Sequence, residues 1–249
     1  MRTYHQLTDP DRSGLAEQIG AQRRRVAERL AAVSRIVAVM SGKGGVGKSY
    51  VTAHLARALG RAGRRVGVLD ADLNGPTIPG LLQTSEAVEL PATGLDGVRC
   101  VSMGLMLGDG APLTFKGPSA ESFVWRGAME ASALRELLGD VEWGKLDFLL
   151  LDLPPGMQRY VELCDILGNP PAVLTVTIPT PESRDAVRRA MRVAFDRGSE
   201  LIGIVENMVG REFVGTAADD LAKEFTIRVL ARIPWHPTPD NWSTLGSQL

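Results

Sequence analysis

The chain has 249 residues, 44% hydrophobic and 23% charged, the composition of an ordinary globular protein. Its 28 basic and 29 acidic residues nearly cancel, so neither a nucleic-acid footprint nor attraction to a membrane surface is expected. No apolar run approaches the ~20 residues of a membrane span, and the opening MRTYHQLTDPDRSG lacks the apolar core of a secretory leader, so a cytoplasmic protein is expected.

In chain order, Leu15, Ile19, Val26, Leu30 and Val33 recur at helical spacing, and 12–33 is predicted as an amphipathic helix. Residues 1–34 read as a helical arm and 35–249 as the main domain. RIVAVM reads as a buried strand and runs straight into SGKGGVGKSY. Val51, Leu55, Ala58, Leu59 and Ala62 then mark one helix face, closed by Gly63. RVGVLD, VRCVSM, LDFLLLD, AVLTVTIP, ELIGIVEN and RVLARIP read as further strands. MEASALRELLGD and RDAVRRAMRVAFD read as helices, and 83–119 is Gly/Pro-rich and irregular, the expected mobile region. Apolar strands alternating with helices predict an α/β fold of three layers, a mostly parallel sheet with helices on both faces.

Strand, glycine-rich loop and helix form the setting in which Gly42-x-x-x-x-Gly47-Lys48-Ser49 binds phosphate. The glycines let backbone N–H groups turn onto phosphate oxygens, and the helix N-terminus adds its positive end. The expected nucleotide contacts are Gly42, Lys43, Gly44, Gly45, Val46, Gly47, Lys48, Ser49 and Tyr50. Lys48 would reach the β- and γ-phosphates, and the Ser49 hydroxyl would ligate Mg²⁺. ATP and Mg²⁺ are therefore the expected ligands. A loop that only held a nucleotide needs one lysine, and Lys43 is a second.

Such a site also needs carboxylates at strand ends. Asp152 ends LDFLLLD at a Pro-Gly turn, where Gly156 would let the backbone approach the γ-phosphate. Asp147, at the start of that strand, is expected to be structural. Asp70 and Asp72 end another strand: Asp72 is the candidate for orienting the attacking water, and Asp70 for supporting the metal. The expected metal set is Ser49, Asp70, Asp72 and Asp152, direct or through water, and the expected catalytic set is Lys43, Lys48 and Asp72. Asn207 could pair its amide with the adenine edge, with Pro234 in the other wall of the base pocket.

KGGVGKS resembles the deviant Walker A loop of the MinD/ParA class of P-loop ATPases. In that class the first lysine, here Lys43, crosses a dimer interface to the partner's nucleotide, as an arginine finger does. VMSGKGGVGKS, GVLDADLNGPTIPGLL, VWRGAMEASALRELLGDVEWGKLDFLLLDLPPG and GIVENM together resemble the Mrp/ApbC-type iron–sulfur cluster carriers. That resemblance implies a homodimer with ATP at the interface and an unidentified protein partner or metalloprotein client.

The chain departs from the family pattern at several points. ENMVGREFVGTAADD lacks the C-x-x-C pair with which the family holds a bridging cluster. Met157-Gln158-Arg159 replaces Thr-Gly-Asp, Tyr50 replaces a small hydroxyl residue, and Asn74 replaces an aromatic. Tyr50 and Arg159 are expected to slow hydrolysis by misplacing the metal or the water. Cys100 and Cys164 read as buried small hydrophobes, and His5, His54 and His236 show no ligand spacing, so no iron–sulfur or zinc ligands are expected. The favoured function is a slowly hydrolysing, dimeric ATPase of iron–sulfur cluster or metallocentre assembly that holds no C-x-x-C cluster of its own. The alternative is an ATP-dependent regulatory or positioning switch.

Overall fold

The computed structural model describes residues 15–73, 75–84, 90–106, 122–210, 213 and 215–249. Helix α1 (Leu15–Leu30) leads into β1 (Val33–Ser41), the loop and α2 (Lys48–Arg61). β2 (Val66–Asp70) is followed by α3 (Ile78–Leu82), β3 (Ala92–Thr93), β4 (Arg99–Ser102) and α4 (Met103–Met106). Then come α5 (Ser122–Gly139), β5 (Leu146–Asp152), α6 (Gln158–Leu167) and β6 (Ala172–Thr177). The chain closes with α7 (Pro181–Asp196), β7 (Leu201–Val209), α8 (Ala217–Phe225), β8 (Val229–Pro234) and α9 (Pro239–Gly246).

Among the described residues, eight strands form one sheet in the order β3-β4-β2-β5-β1-β6-β7-β8. Every pairing is parallel except that of β3 with β4. Period-two alternation divides the core between the sheet's faces. Val37, Val39 and Leu150 join one apolar layer with Leu55 and Leu59 of α2 and Trp242 and Leu245 of α9. Ala38, Met40, Leu149 and Leu151 join the other, with Val26 and Leu30 of α1, Leu134 and Leu138 of α5, and Tyr160 and Leu163 of α6. A strand apolar at every position is what a sheet covered on both sides requires.

The expected elements are present, with three local differences. Val33 belongs to β1 rather than to the first helix, because it pairs with Leu146. Helix α1 packs its Val26 and Leu30 into the layer shared with α5 and α6, so this part of the expected arm is built into the core. Within the stretch expected to be irregular, β3 and α4 are ordered elements, while β4 is the strand expected at VRCVSM. Residues 1–14, 85–89 and 107–121 and the departure at Asn74 lie outside the described residues, as do the side chains of Trp125 and Arg126.

This topology fixes the site. From β1 the chain crosses to β2 on one side, and from β6 it proceeds to β7 on the other. The crevice beyond the carboxyl ends of β1 and β6 is thus the topological switch point of the sheet, where such folds bind ligands. Ser41, the last residue of β1, pairs there with Val176 of β6 and opens the loop.

Candidate functional site: a phosphate loop over a buried Lys–Ser–Asp–Thr cluster

The loop after β1 is held from two directions. A Cβ on Gly42 would lie 2.3 Å from the backbone of Ala186 and Val187 in α7, so only glycine allows that helix to pack so close. Gly47 has φ 76° and caps α2, and a Cβ there would lie 2.3 Å from the Asn207 amide nitrogen. That nitrogen donates to the Val46 carbonyl at 2.9 Å, so Asn207, buried at the end of β7, braces the loop from beneath. No side chain caps α2. Its first N–H groups therefore lack a side-chain acceptor, the condition in which a helix N-terminus receives an anion.

Beneath the loop lies a compact polar cluster. Lys48 and Asp152 are buried, with Lys48 Nζ 2.8 Å from Asp152 Oδ1. Ser49 Oγ donates to Asp152 Oδ2 at 2.6 Å, and Thr52 Oγ1 donates to Asp152 Oδ1 at 2.7 Å. One carboxylate thus gathers the ammonium and two hydroxyls of a single helical turn. Asp70 is the direct neighbour of Asp152 across the β2–β5 pairing. Its carboxylate accepts backbone N–H groups from Asp72, Thr77 and Ile78 at 3.2, 2.9 and 3.1 Å. Burial pushes the Asp70 carboxyl up to about 7, the Asp152 charge adds to the rise, and those three N–H groups oppose it.

Above the loop opens a cleft of about 670 Å³. Lys43 to Tyr50 line it, with Asp72, the Gly75–Thr77 turn, Gly80, Leu81 and Pro155. Asp72 Oδ1 accepts the Gly75 N–H at 3.2 Å, fixing the turn that forms this wall. Among the described residues no ion pair involves Lys43, whereas Lys48 is already engaged. Gly156 has φ 96° and follows the cleft residue Pro155. Asn207 and Pro234 are not among the residues lining the cleft, and Pro234 sits at the end of β8 paired with Val209. The structure therefore brings Lys43, Lys48, Ser49, Asp70, Asp72 and Asp152 together around the loop. It leaves Asn207 behind the loop and Pro234 outside the cleft.

The two expected obstructions have other partners. Arg159 is buried, with one guanidinium nitrogen on Glu162 at 2.7 Å and another on Glu130. The Tyr50 ring packs on His54 and Trp242. Thr52 belongs to the cluster although no sequence motif marks it. Its spacing four residues after Lys48, on one helix face, is the signal that could have found it. Cys100 is buried in β4, where burial pushes its thiol up to about 12, and burial also raises Cys164.

A mostly parallel sheet, a glycine loop at its switch point and a buried lysine–serine–aspartate cluster define a P-loop NTPase. Residues 32–248 match the family described as ParA: NUBPL iron-transfer P-loop NTPase, and the chain belongs to that family. It is 34% identical over 240 residues to the cytosolic Fe-S cluster assembly factor CFD1 of Chaetomium globosum, covering 84% of this chain and 76% of that one. It is 34% identical over 245 residues to the iron-sulfur cluster carrier protein of Methanocaldococcus jannaschii, covering 91% and 80%. Among solved structures, a nucleotide-binding protein of Archaeoglobus fulgidus in complex with ADP superposes with a TM-score of 0.69 at 32% identity, over 90% of this chain and 91% of that one. The cell division ATPase MinD of Pyrococcus furiosus, at 20% identity and TM-score 0.61 over 87% and 98%, shares the fold.

Proposed function

We propose that the protein is a Mg²⁺-dependent ATPase acting in iron–sulfur cluster or metallocentre assembly. The observation that carries this is the buried Lys48–Ser49–Asp152–Thr52 cluster beneath an uncapped helix N-terminus and an open cleft. The donor set fits Mg²⁺: the Ser49 hydroxyl, with the Asp152 and Asp70 carboxylates and Asp72 directly or through water. Bound there, the ion would neutralise phosphate charge. Lys48 exchanges Asp152 for phosphate oxygens as the nucleotide enters, while the loop N–H groups hold the remaining oxygens. Asp72 stands at the cleft wall, where a carboxylate can orient water and accept its proton. Asn207 and Pro234, at the carboxyl ends of β7 and β8, mark the base end: Asn207 carries the loop through Val46, and Pro234 begins the segment leading to α9.

Lys43 acts in trans within a homodimer that encloses ATP. Its position in the cleft wall without an ion-pair partner among the described residues supports this. An isolated subunit then lacks one charge needed at the γ-phosphate, so its turnover falls well below the ~10 s⁻¹ typical of enzymes. Tyr50 beside Ser49 and Arg159 in the segment after Gly156 add to the slowness by shifting the metal or the water.

The client is a metalloprotein or assembly partner, and the compartment is the cytoplasm, as for the relatives whose names include "cytosolic". Among the described residues no helix is long and apolar enough to cross a membrane. Relatives named for iron–sulfur work cover most of the chain at 32–35% identity, which favours this function over a positioning switch. The chain itself holds no C-x-x-C cluster: its two cysteines are buried with raised thiols, and a bridging cluster needs thiolates.

Two measurements test the proposal. Calorimetry should give Mg²⁺-ATP binding that Lys48→Ala abolishes, and unchanged affinity in that variant removes the site. Anaerobic reconstitution with iron and sulfide should leave the protein colourless. A stable brown dimer that bleaches in the Cys100→Ser, Cys164→Ser double variant would restore a cluster-carrying role.

A further inference from the structure

Tyr50 stands one residue beyond the Mg²⁺ ligand Ser49, where the family pattern has a small hydroxyl residue. Among the described residues lining the cleft it alone is aromatic, and it is 36% exposed. It is nonetheless held firmly. His54, one turn later on α2, packs its ring 4.0 Å from the Tyr50 centroid, and its Nδ1 donates to the Tyr50 carbonyl oxygen across 2.9 Å. Trp242 of α9, itself buried, meets Tyr50 at 5.6 Å with the rings inclined at 68°, and meets His54 at 4.7 Å. Burial lowers the His54 pKa, which favours the neutral imidazole in this stack. Three rings from two helices thus fix the Tyr50 plane, while part of the side chain stays exposed at the cleft.

The cluster also lies at a junction. α9 follows β8, whose last residue is Pro234, so Trp242 ties the cleft to the segment at the base end of the site. Tyr50 follows the phosphate loop directly and lines the same cleft, so the part of a nucleotide beyond its phosphates can meet its ring. A flat, prepositioned aromatic at that point is a surface on which a base stacks at little entropic cost.

We propose that Tyr50 is a stacking platform for the purine base of the nucleotide, preorganised by His54 and Trp242; this rests on the nucleotide-binding function proposed above. Stacking tolerates any purine, so Tyr50 adds affinity for adenine and guanine alike, and the choice between them lies elsewhere.

The test uses the full chain and calorimetry with Mg²⁺-ATP, Mg²⁺-GTP and Mg²⁺-tripolyphosphate, the last a phosphate chain without a base. Tyr50→Leu keeps apolar packing on His54 and Trp242 but lacks a π face. It should weaken both nucleotides about tenfold or more while leaving tripolyphosphate within about twofold. Tyr50→Phe should restore nucleotide affinity. Melting temperatures of the free variants check that each is folded. Equal losses for nucleotide and tripolyphosphate would overturn the platform and make Tyr50 a support of the phosphate loop. Unchanged nucleotide affinity in Tyr50→Leu would overturn it as well. If the wild-type chain binds none of the three ligands, nucleotide binding itself fails; if it binds them and the leucine variant is indifferent, only the platform fails.

Discussion

Asp152 is the residue on which the site converges, and its neighbours show what a buried carboxylate demands. It has no exposed surface, yet it receives Lys48, Ser49 and Thr52 within 2.8 Å. Removing one donor leaves part of a buried charge unsatisfied, which costs more than the bond contributed. Thr52→Val keeps shape and volume while deleting the hydroxyl. It should lower stability by about 1.5–3 kcal/mol, the range for hydrogen bonds to charged groups, as measured by urea unfolding with an unchanged m-value. Wild-type stability in that variant would mean that Lys48 and Ser49 satisfy Asp152 alone. Asp152 is legible from sequence because it ends an apolar strand just before Pro-Pro-Gly, and a carboxylate at the carboxyl end of a buried strand faces the ligand crevice. Thr52 is not, because a threonine four residues along a helix usually faces solvent or its own backbone, and here it also bonds the Lys48 carbonyl. Asn207 stands out in the sequence as a polar strand end, but nothing in the sequence shows that its nitrogen is taken by Val46.

At the scale of elements, the loop is clamped between α7 and β7. Gly42 is where α7 touches it, with Ala186 and Val187 backbone atoms where a side chain would begin. Backbone cannot yield as a side chain does, so Gly42→Ala must push α7 or the loop aside. We expect a loss of about 1–3 kcal/mol, typical of overpacking, together with weakened ATP binding. A variant as stable as wild type with full affinity would show that the two elements move apart freely. Two sheet strands are joined in a different way at their amino ends. Asp147 at the start of β5 bonds the backbone N–H and guanidinium of Arg65, just before β2. Those hydrogen bonds hold its carboxyl down at about 2, against an ordinary 3.8. A depressed acid contributes stability above its unfolded pKa and loses it as pH falls through the folded value. Asp147→Asn should therefore melt slightly below wild type at neutral pH, and the gap should close as pH falls from 3.8 toward about 2. The pair is exposed, so the gap is small; calorimetry across that pH range measures it, and a constant gap would rule out the charge as its cause. The long strands and α7 are legible because their apolar pattern runs through the whole element. The short α9 escapes because only Trp242 and Leu245 of its eight residues are buried, too few to mark a period. Its capping box between Thr238 and Asn241 is the signal that could have marked its start.

For the molecule as a whole, the open cleft raises the question of what completes it. Lys48 is buried and paired, Asp72 lies in the wall, and Lys43 borders the same space with no ion-pair partner among the described residues. If each site draws Asp72 from its own subunit and Lys43 from its partner, the two defects can complement one another. Lys43→Ala and Asp72→Ala homodimers should both be inactive. A mixed dimer contains one site with an intact Asp72 facing an intact Lys43, and one site with neither. Random exchange of equal amounts makes half the dimers mixed, so activity should return to roughly a quarter of wild type. Phosphate release, measured alongside the fraction of mixed dimers isolated through two different tags, tests this directly. If Lys43 acted within its own subunit, each site in the mixed dimer would still lack one residue, and no activity would return however many mixed dimers formed. Recovery proportional to the mixed fraction is the outcome that makes dimerisation the switch for hydrolysis, and it would explain why a loop that needs only one lysine carries two.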